Sequence, residues 1–238
     1  MSPPPGYTAY GDGNVGAYGS FAPIGGLAKA LRVLIIILIP VLVIAALMYV
    51  SLKGTADDFV NGDVDSGEYA DALAPYGLIS ILSGALQLAL FVLTIIWMFR
   101  MAKNAVQLRR SGTWGPGWAI AGWFLPPCVL YVIPYLMMRD LWKSSDPESG
   151  PDWKRNTVGM IVHVWWVLFG LAPLAFISVT IGNFRLNQDG DNRDTAEDLV
   201  DGFATTLGAA AIQIAAAVAF LLLVTQLSAR HKRTINEG

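Results

Sequence analysis

Four long stretches of this chain contain almost no charged residues, and they constrain its fold more than any other feature. They cover residues 33–50, 78–99, 158–182 and 203–229, and their only Asp, Glu, Lys, Arg or His is His163. A helix needs about 20 apolar residues to cross a hydrocarbon core about 30 Å thick. Only 14% of the chain is charged, against about 25% in a typical soluble domain. The sequence predicts an all-α integral membrane protein with four transmembrane helices, near residues 30–52, 76–100, 157–182 and 202–229.

A fifth apolar segment, residues 114–142, is long enough to cross but contains prolines at its centre. Pro126 and Pro127 are adjacent, and Pro134 follows them. Each proline inside a helix costs about 3 kcal/mol or more, because it removes a hydrogen bond and clashes with the preceding turn. The segment is therefore either a kinked fifth crossing or a re-entrant helical hairpin that returns to the face it entered.

The distribution of charge favours the hairpin. With a cytoplasmic N-terminus and a re-entrant segment, 13 of the 16 Lys and Arg residues lie on the inner side, as the positive-inside rule requires. A full fifth crossing would leave 8 on each side. Twelve of the 18 acidic residues fall in the two outer loops of the first topology, residues 53–75 and 183–201. We predict four transmembrane helices, one proline-broken hairpin on the cytoplasmic side, and both termini in the cytoplasm.

The remaining segments complete the domain organisation. Residues 1–28 are rich in Pro, Gly and Tyr and carry no Lys or Arg before Lys29, which predicts a disordered cytoplasmic tail rather than a signal peptide. The membrane domain is predicted at 29–230, followed by a short cytoplasmic tail at 231–238. Asp65-x-x-Glu68 and Asp194-x-x-Glu197 have the capping-box pattern and predict helix starts in the two outer loops.

Little in the sequence points to catalysis or to a bound metal. Ser83 and His163 would enter the membrane from opposite faces, about 18 Å apart in depth, so they cannot form a nucleophile–base pair. Residues 187–198 resemble a calcium loop but carry Asn192 where the sixth position requires glycine. The single cysteine, Cys128, excludes a cysteine cluster. We predict no enzyme activity, no cofactor, no metal and no nucleic-acid partner.

Several polar side chains lie within the predicted spans. His163 is more easily explained as a neutral interfacial residue, hydrogen-bonded to a neighbour, than as a proton carrier. Gln87 and Gln213, together with Thr94, are interpreted as hydrogen-bonding groups between helices.

Basic and aromatic residues alternate around the predicted hairpin, an arrangement that attracts anionic lipid headgroups. We call this set the inner-face module. Its members are Arg100, Lys103, Asn104, Trp118, Trp123, Pro126, Pro134, Tyr135, Arg139, Trp142 and Lys143. The same residues could equally be topology determinants within an aromatic belt.

Three blocks in this region resemble a known family. They are WMFRMAKNAVQL at 97–108, WAIAGWFLP at 118–126 and PYLMMRDLWKS at 134–144. They are similar to a family of actinobacterial membrane proteins called domain of unknown function 4328, over about residues 31–230. The resemblance implies a bacterial plasma membrane and strengthens the topology, but it brings no established activity. Pro127-Cys128-Val129 departs from the small polar residue, often Asn, that the family leads us to expect after the first proline.

These observations lead to two hypotheses on function. The first is a non-enzymatic multi-pass protein whose inner-face module contacts the bilayer, especially anionic lipids, or a membrane-protein partner or second copy. The alternative is a small channel or transporter that uses the hairpin as a pore or gate. A polar lining that converges on residues 126–134 would favour the alternative.

Overall fold

The computed structural model describes residues 21–124, 132–170 and 192–237, and within these ranges it is all-helical, with no strands. Among these described residues, three helices are long and apolar enough to cross a membrane. In chain order the helices are α1 (Gly25–Asn61), α2 (Ser66–Gln107), α3 (Trp118–Ala121), α4 (Ile133–Ser144), α5 (Met160–Gly170), α6 (Asn192–Asp201) and α7 (Phe203–Thr234). A short 3-10 turn, Trp153–Arg155, precedes α5.

Helix α1 lies at the centre and packs against α2, α6 and α7. Its buried side chains recur every three or four residues and therefore form one face, which includes Ala28, Leu31, Ile35, Leu38, Leu42, Tyr49, Leu52 and Ala56. The opposite face is apolar and exposed, as expected for a helix surrounded by lipid. The four-residue connection to α2 contains Gly62 with a left-handed φ of 86°. Such a short turn makes α1 and α2 antiparallel neighbours.

The long helices extend beyond the spans predicted for them. Helix α2 begins at Ser66 because the Asp65 carboxylate accepts hydrogen bonds from the N–H groups of Gly67 and Glu68. This confirms the first predicted cap. The second prediction differs from the structure, since Asp194 lies inside α6 rather than before it. The extensions of α1 and α2 are held together with α6 by a small apolar cluster, in which the rings of Phe59 and Tyr69 stack at 4.9 Å.

Charge is sorted to the two ends of the long helices. The end that carries the start of α1, the end of α2 and the end of α7 holds 13 of the described Lys and Arg residues, and we call it the basic end. The other end holds ten described acidic residues with only Lys53 and Arg193 as cations, and we call it the acidic end. The larger apolar core, which includes Trp97, Met101 and Leu227, occupies the half nearer the basic end.

Helices α3 and α4, which belong to the segment of the predicted hairpin and which we call its arms, contact each other and α2. A Cβ at Gly122 would lie 2.8 Å from Ile133 Cγ2, so the arms meet there with room only for glycine. The Trp123 ring packs edge-on against Phe91 of α2 at 5.5 Å and against Phe169 of α5 at 5.9 Å. Phe91 lies about 14 Å along α2 from Arg100. Pro126 and Pro127, the predicted turn, lie outside the described residues.

Candidate functional site

Three fully buried polar side chains meet at the basic end: Asn104 of α2, Ser145 after α4, and His231 of α7. The Asn104 amide accepts a hydrogen bond from the Ala22 N–H (2.8 Å) and donates one to the Ala22 carbonyl (2.9 Å), which fixes its orientation. Its nitrogen therefore also donates to His231 Nε2 at 3.1 Å. Because Nε2 is then an acceptor, the ring proton sits on Nδ1 and is donated to Ser145 Oγ at 2.8 Å. The cluster requires a neutral histidine.

The surroundings of His231 keep it neutral. It lies in the charged extension of α7, beyond the apolar stretch that ends at Ala229. Burial lowers the pKa of His231 to about 4, while the nearby Glu237 carboxylate acts in the opposite direction. A protonated ring would also turn Nε2 into a donor that faces the Asn104 N–H group.

This low pKa predicts that acid weakens the fold. The pKa of His231 is lower in the folded chain than the value of about 6.5 expected when it is unfolded. Its contribution to stability is therefore complete above pH 6.5 and is lost progressively as the pH falls towards 4. We expect a loss of about 3 kcal/mol over this range. The measurement is unfolding against pH for the wild type and for His231→Ala; parallel curves would contradict the expectation.

Ser145 and His231 have the spacing of a nucleophile and its base, but both are fully buried. A substrate cannot reach either group in this arrangement. Their contacts connect α2, α7 and the end of α4 to one another.

The C-terminal residues also form hydrogen bonds at the basic end. The Glu237 carboxylate accepts hydrogen bonds from the N–H groups of Ile24 (2.9 Å) and Gly25 (2.7 Å) and so caps the start of α1. Thr234 Oγ1 donates to the Ser145 carbonyl at 2.8 Å. The 231–237 segment is packed because α7 continues one turn further, and Ile24 is fully buried against the core.

Arg110 fastens the end of α4. Its guanidinium donates hydrogen bonds to the carbonyl oxygens of Ser144 (3.1 Å), Asp146 (2.7 Å) and Ser149. The Ser144 carbonyl is one that a helix end leaves without a partner inside the helix, and the other two lie in the loop that follows. Arg230 of α7 adds an ion pair to Asp146 at 3.1 Å.

Most members of the inner-face module are engaged inside the protein. Asn104, Trp123, Pro134 and Trp142 are buried. Trp142 lies under the Arg230 guanidinium (5.0 Å from the ring centroid) and against Gly159, where any Cβ would overlap the indole.

The charged members of the module divide between inward and outward positions. Arg100 donates to the Pro23 carbonyl, Arg139 pairs with Asp140 at 3.4 Å, and Lys143 donates to the Lys154 carbonyl. Lys103 and Trp118 are exposed. Pro126 lies outside the described residues.

The exposed cations follow a pattern that the sequence reasoning missed. On each long helix, exposed apolar residues form a stripe at helical spacing, and an exposed cation stands at its basic end. Lys103 ends the stripe of Leu88, Val92 and Ile96 on α2. Arg233 ends the stripe of Val218, Leu222 and Ala229 on α7. Lys29 and Arg32 precede Val33, Ile36 and Ile37 on α1.

The structure also shows the hydrogen-bond partners of the polar residues predicted inside the spans. Gln213 Nε2 donates to Gln87 Oε1 at 2.7 Å, which joins α7 to α2. Tyr135 OH and His163 Nδ1 are hydrogen-bonded at 2.9 Å, so His163 has the neighbour that the interfacial interpretation required. Thr94 differs from the prediction, because its hydroxyl donates to the Leu90 carbonyl of its own helix at 2.7 Å.

Within residues 21–124, 132–170 and 192–237, no group of three or more His, Cys, Asp or Glu side chains could hold a metal ion. The first half of the calcium-like segment 187–198 lies outside these ranges. Its second half belongs to α6, in which the Arg193 guanidinium pairs with Glu197 at 3.1 Å.

Three long apolar helices, with charge sorted to their two ends, indicate a helical membrane protein. The chain belongs to the family described as domain of unknown function (DUF4328), whose model matches residues 61–229. This confirms the resemblance seen in the three sequence blocks. The match includes both arms of the predicted hairpin and stops two residues before His231. The comparison with curated proteins gave no match, and neither did the comparison with solved structures.

Proposed function

We propose that this protein is a non-enzymatic, multi-pass protein of the bacterial plasma membrane that binds anionic lipid headgroups at its cytoplasmic face. It crosses the bilayer four times, and residues 114–142 form a re-entrant hairpin. Both termini lie in the cytoplasm. The lipid-binding groups are the exposed cations at the basic end, which is the inner face.

Two contacts support the hairpin. The Thr113 N–H donates to the Asp140 carboxylate at 3.2 Å, and Arg110 binds the Ser144 carbonyl at 3.1 Å. The residues on either side of 114–142 therefore meet at the basic end. Between them, Trp123 reaches the level of Phe91 on α2. A segment that begins and ends at one end of the bundle is expected to dip into the membrane and return.

The position of α5 and α6 supports the fourth crossing. Trp165 of α5 packs in the core of the basic half, where its ring stacks on Phe220 at 5.5 Å. Ala196 of α6 packs at the acidic end with Leu52 and Ala56 of α1. Residue 170 therefore lies in the basic half and residue 192 at the acidic end, as a fourth crossing requires. The basic end is assigned to the cytoplasm by the positive-inside rule.

The main support for lipid binding is that the exposed cations are aligned with the apolar stripes. A helix surface that faces acyl chains brings the cation at its end to the headgroup level. Each such cation contributes about 1 kcal/mol to the attraction of anionic lipid. Arg100 and Lys143 bind other segments of the chain, whereas Arg32, Lys103 and Arg233 contact residues of their own helices and are exposed on three different helices.

The test neutralises these three cations together. We expect Arg32→Gln/Lys103→Gln/Arg233→Gln to weaken binding of phosphatidylglycerol by on the order of 100-fold, since three cations are lost. Binding of phosphatidylcholine should not change. Purified protein in neutral detergent is titrated with each lipid, and bound lipid is counted by native mass spectrometry.

The matched control keeps the charge. Arg32→Lys/Lys103→Arg/Arg233→Lys should bind phosphatidylglycerol within about threefold of the wild type, because headgroup attraction depends on charge. Equal phosphatidylglycerol binding by the neutralised variant and the wild type would overturn the proposal.

The described side chains near the hairpin favour lipid contact over a pore. The Trp123 ring contacts Phe91 and Phe169, and Phe91 also contacts Phe124. The Gln87–Gln213 contact joins α7 to α2. A polar pore lining would instead bring polar side chains against Trp123.

A further inference from the structure

Residues 21–23, which we call the strap, lie across the basic end of α2. Both main-chain groups of Ala22 are bound by the Asn104 side chain, and the Pro23 carbonyl accepts a hydrogen bond from Arg100 at 2.9 Å. Phe21 and Pro23 are exposed, whereas Ile24 is fully buried. The strap is therefore held by a few main-chain hydrogen bonds, and its first firm anchor in the core is Ile24.

The strap binds Arg100, a cation next to the proposed lipid site. Arg100 lies three residues before Lys103, so the two side chains are neighbours on the surface of α2. The partner that the strap offers Arg100 is a neutral carbonyl. A phosphate group binds a guanidinium through two parallel, charge-assisted hydrogen bonds and is the stronger partner. An anionic headgroup at Lys103 can therefore compete with Pro23 for Arg100.

We propose that the strap regulates the lipid site by holding Arg100, and that anionic lipid and strap displace each other. This inference rests on the proposed function, since it assumes that headgroups bind at Lys103. Coupling between two ligands of one residue is reciprocal. Release of the strap strengthens lipid binding, and lipid binding releases the strap.

The first test releases the strap by substitution in the full chain. Ala22→Pro removes the N–H that Asn104 accepts and places a ring carbon against its oxygen. We expect Ala22→Pro to bind phosphatidylglycerol about fivefold more tightly than the wild type, the gain from one added cation. Phe21→Pro, at the neighbouring exposed position, is the matched control and should leave the affinity within about twofold of the wild type.

A double-mutant comparison assigns the gain to Arg100. Arg100→Gln alone should leave phosphatidylglycerol binding close to that of the wild type, because the strap holds the Arg100 guanidinium at the Pro23 carbonyl. In the Ala22→Pro background the same substitution should abolish the gain. A gain that persists without Arg100 overturns the inference. So does the absence of any gain in both Ala22→Pro and a variant that lacks residues 2–22.

The reciprocal effect is measured on the wild type. Phosphatidylglycerol should speed chymotrypsin cleavage after Phe21, and phosphatidylcholine should not; equal rates overturn the inference. If the strap variants fail while the triple neutralisation still weakens lipid binding, the inference is wrong and the proposed function stands. If the triple neutralisation also has no effect, the proposed function itself is wrong.

Discussion

Replacing His231 by alanine is expected to lower the free energy of unfolding by about 3–4 kcal/mol, because two buried partners lose their hydrogen bonds. The Asn104 amide would face an empty space on one side, and the Ser145 hydroxyl would lose its donor. A cavity in the core adds to this cost. The three residues come from α2, α7 and the end of α4, so the substitution loosens three segments together.

Arg233→Ala provides the matched control for His231→Ala. It lies two residues further along the same helix but is exposed. Its removal should change the free energy of unfolding by less than about 0.5 kcal/mol. Unfolding is followed by circular dichroism in neutral detergent with added dodecyl sulfate. Equal stabilities of the two variants would mean that the buried cluster does not hold the basic end together.

Arg110→Gln is expected to cost about 2–3 kcal/mol, since hydrogen bonds from a charged donor are stronger than neutral ones. The guanidinium binds one carbonyl at the end of α4 and two in the loop after it, and glutamine cannot reach all three. We expect residues 144–149 to lose protection in hydrogen exchange. The Trp142 indole, which packs beside this segment, should become more accessible to a soluble quencher.

The neighbouring Arg109 offers a control of the same residue type. Its side chain is exposed, and it forms none of the contacts described for Arg110. Arg109→Gln should leave both stability and exchange within error of the wild type. An equal effect of the two substitutions would show that net charge, rather than the three carbonyl contacts of Arg110, stabilises this segment.

The sequence predicts the helical membrane architecture because hydropathy and charge act over whole segments. Apolar runs of about 20 residues have few alternatives to a membrane helix. The sorting of Lys and Arg likewise predicts which segments share a side. The sequence also predicts that Gln87 and Gln213 form hydrogen bonds between helices, since a polar group in a span is expected to find a partner on a neighbouring helix.

The buried cluster was missed because its members look like surface residues. His231 stands between Arg230 and Lys232, a run typical of a solvated helix end. A signal was nevertheless present. Ala219, Leu223 and Leu227 form a buried stripe at intervals of four residues, and His231 is the next position in that series. The apolar stripe predicts one further buried turn, although it cannot predict the partners of the histidine.

The division between inward and outward cations could not be predicted from sequence. Arg100 and Lys103 have the same charge and nearly the same depth, but one binds Pro23 and the other is exposed. Which side chain faces the core depends on the rotation of α2 against α1, and that rotation is set by packing along the whole helix. The lipid proposal depends on this division.

The topology is tested most directly by labelling single cysteines with a membrane-impermeant maleimide, in a chain with Cys128 replaced by serine. The chosen positions are exposed: Ser66 and Asn192 at the acidic end, and Ser111, Asp152 and Asn236 at the basic end. Cysteines at the first two should react in intact cells. The other three should react only after the membrane is permeabilised. Labelling of Asp152→Cys or Asn236→Cys in intact cells would contradict four crossings with a re-entrant hairpin.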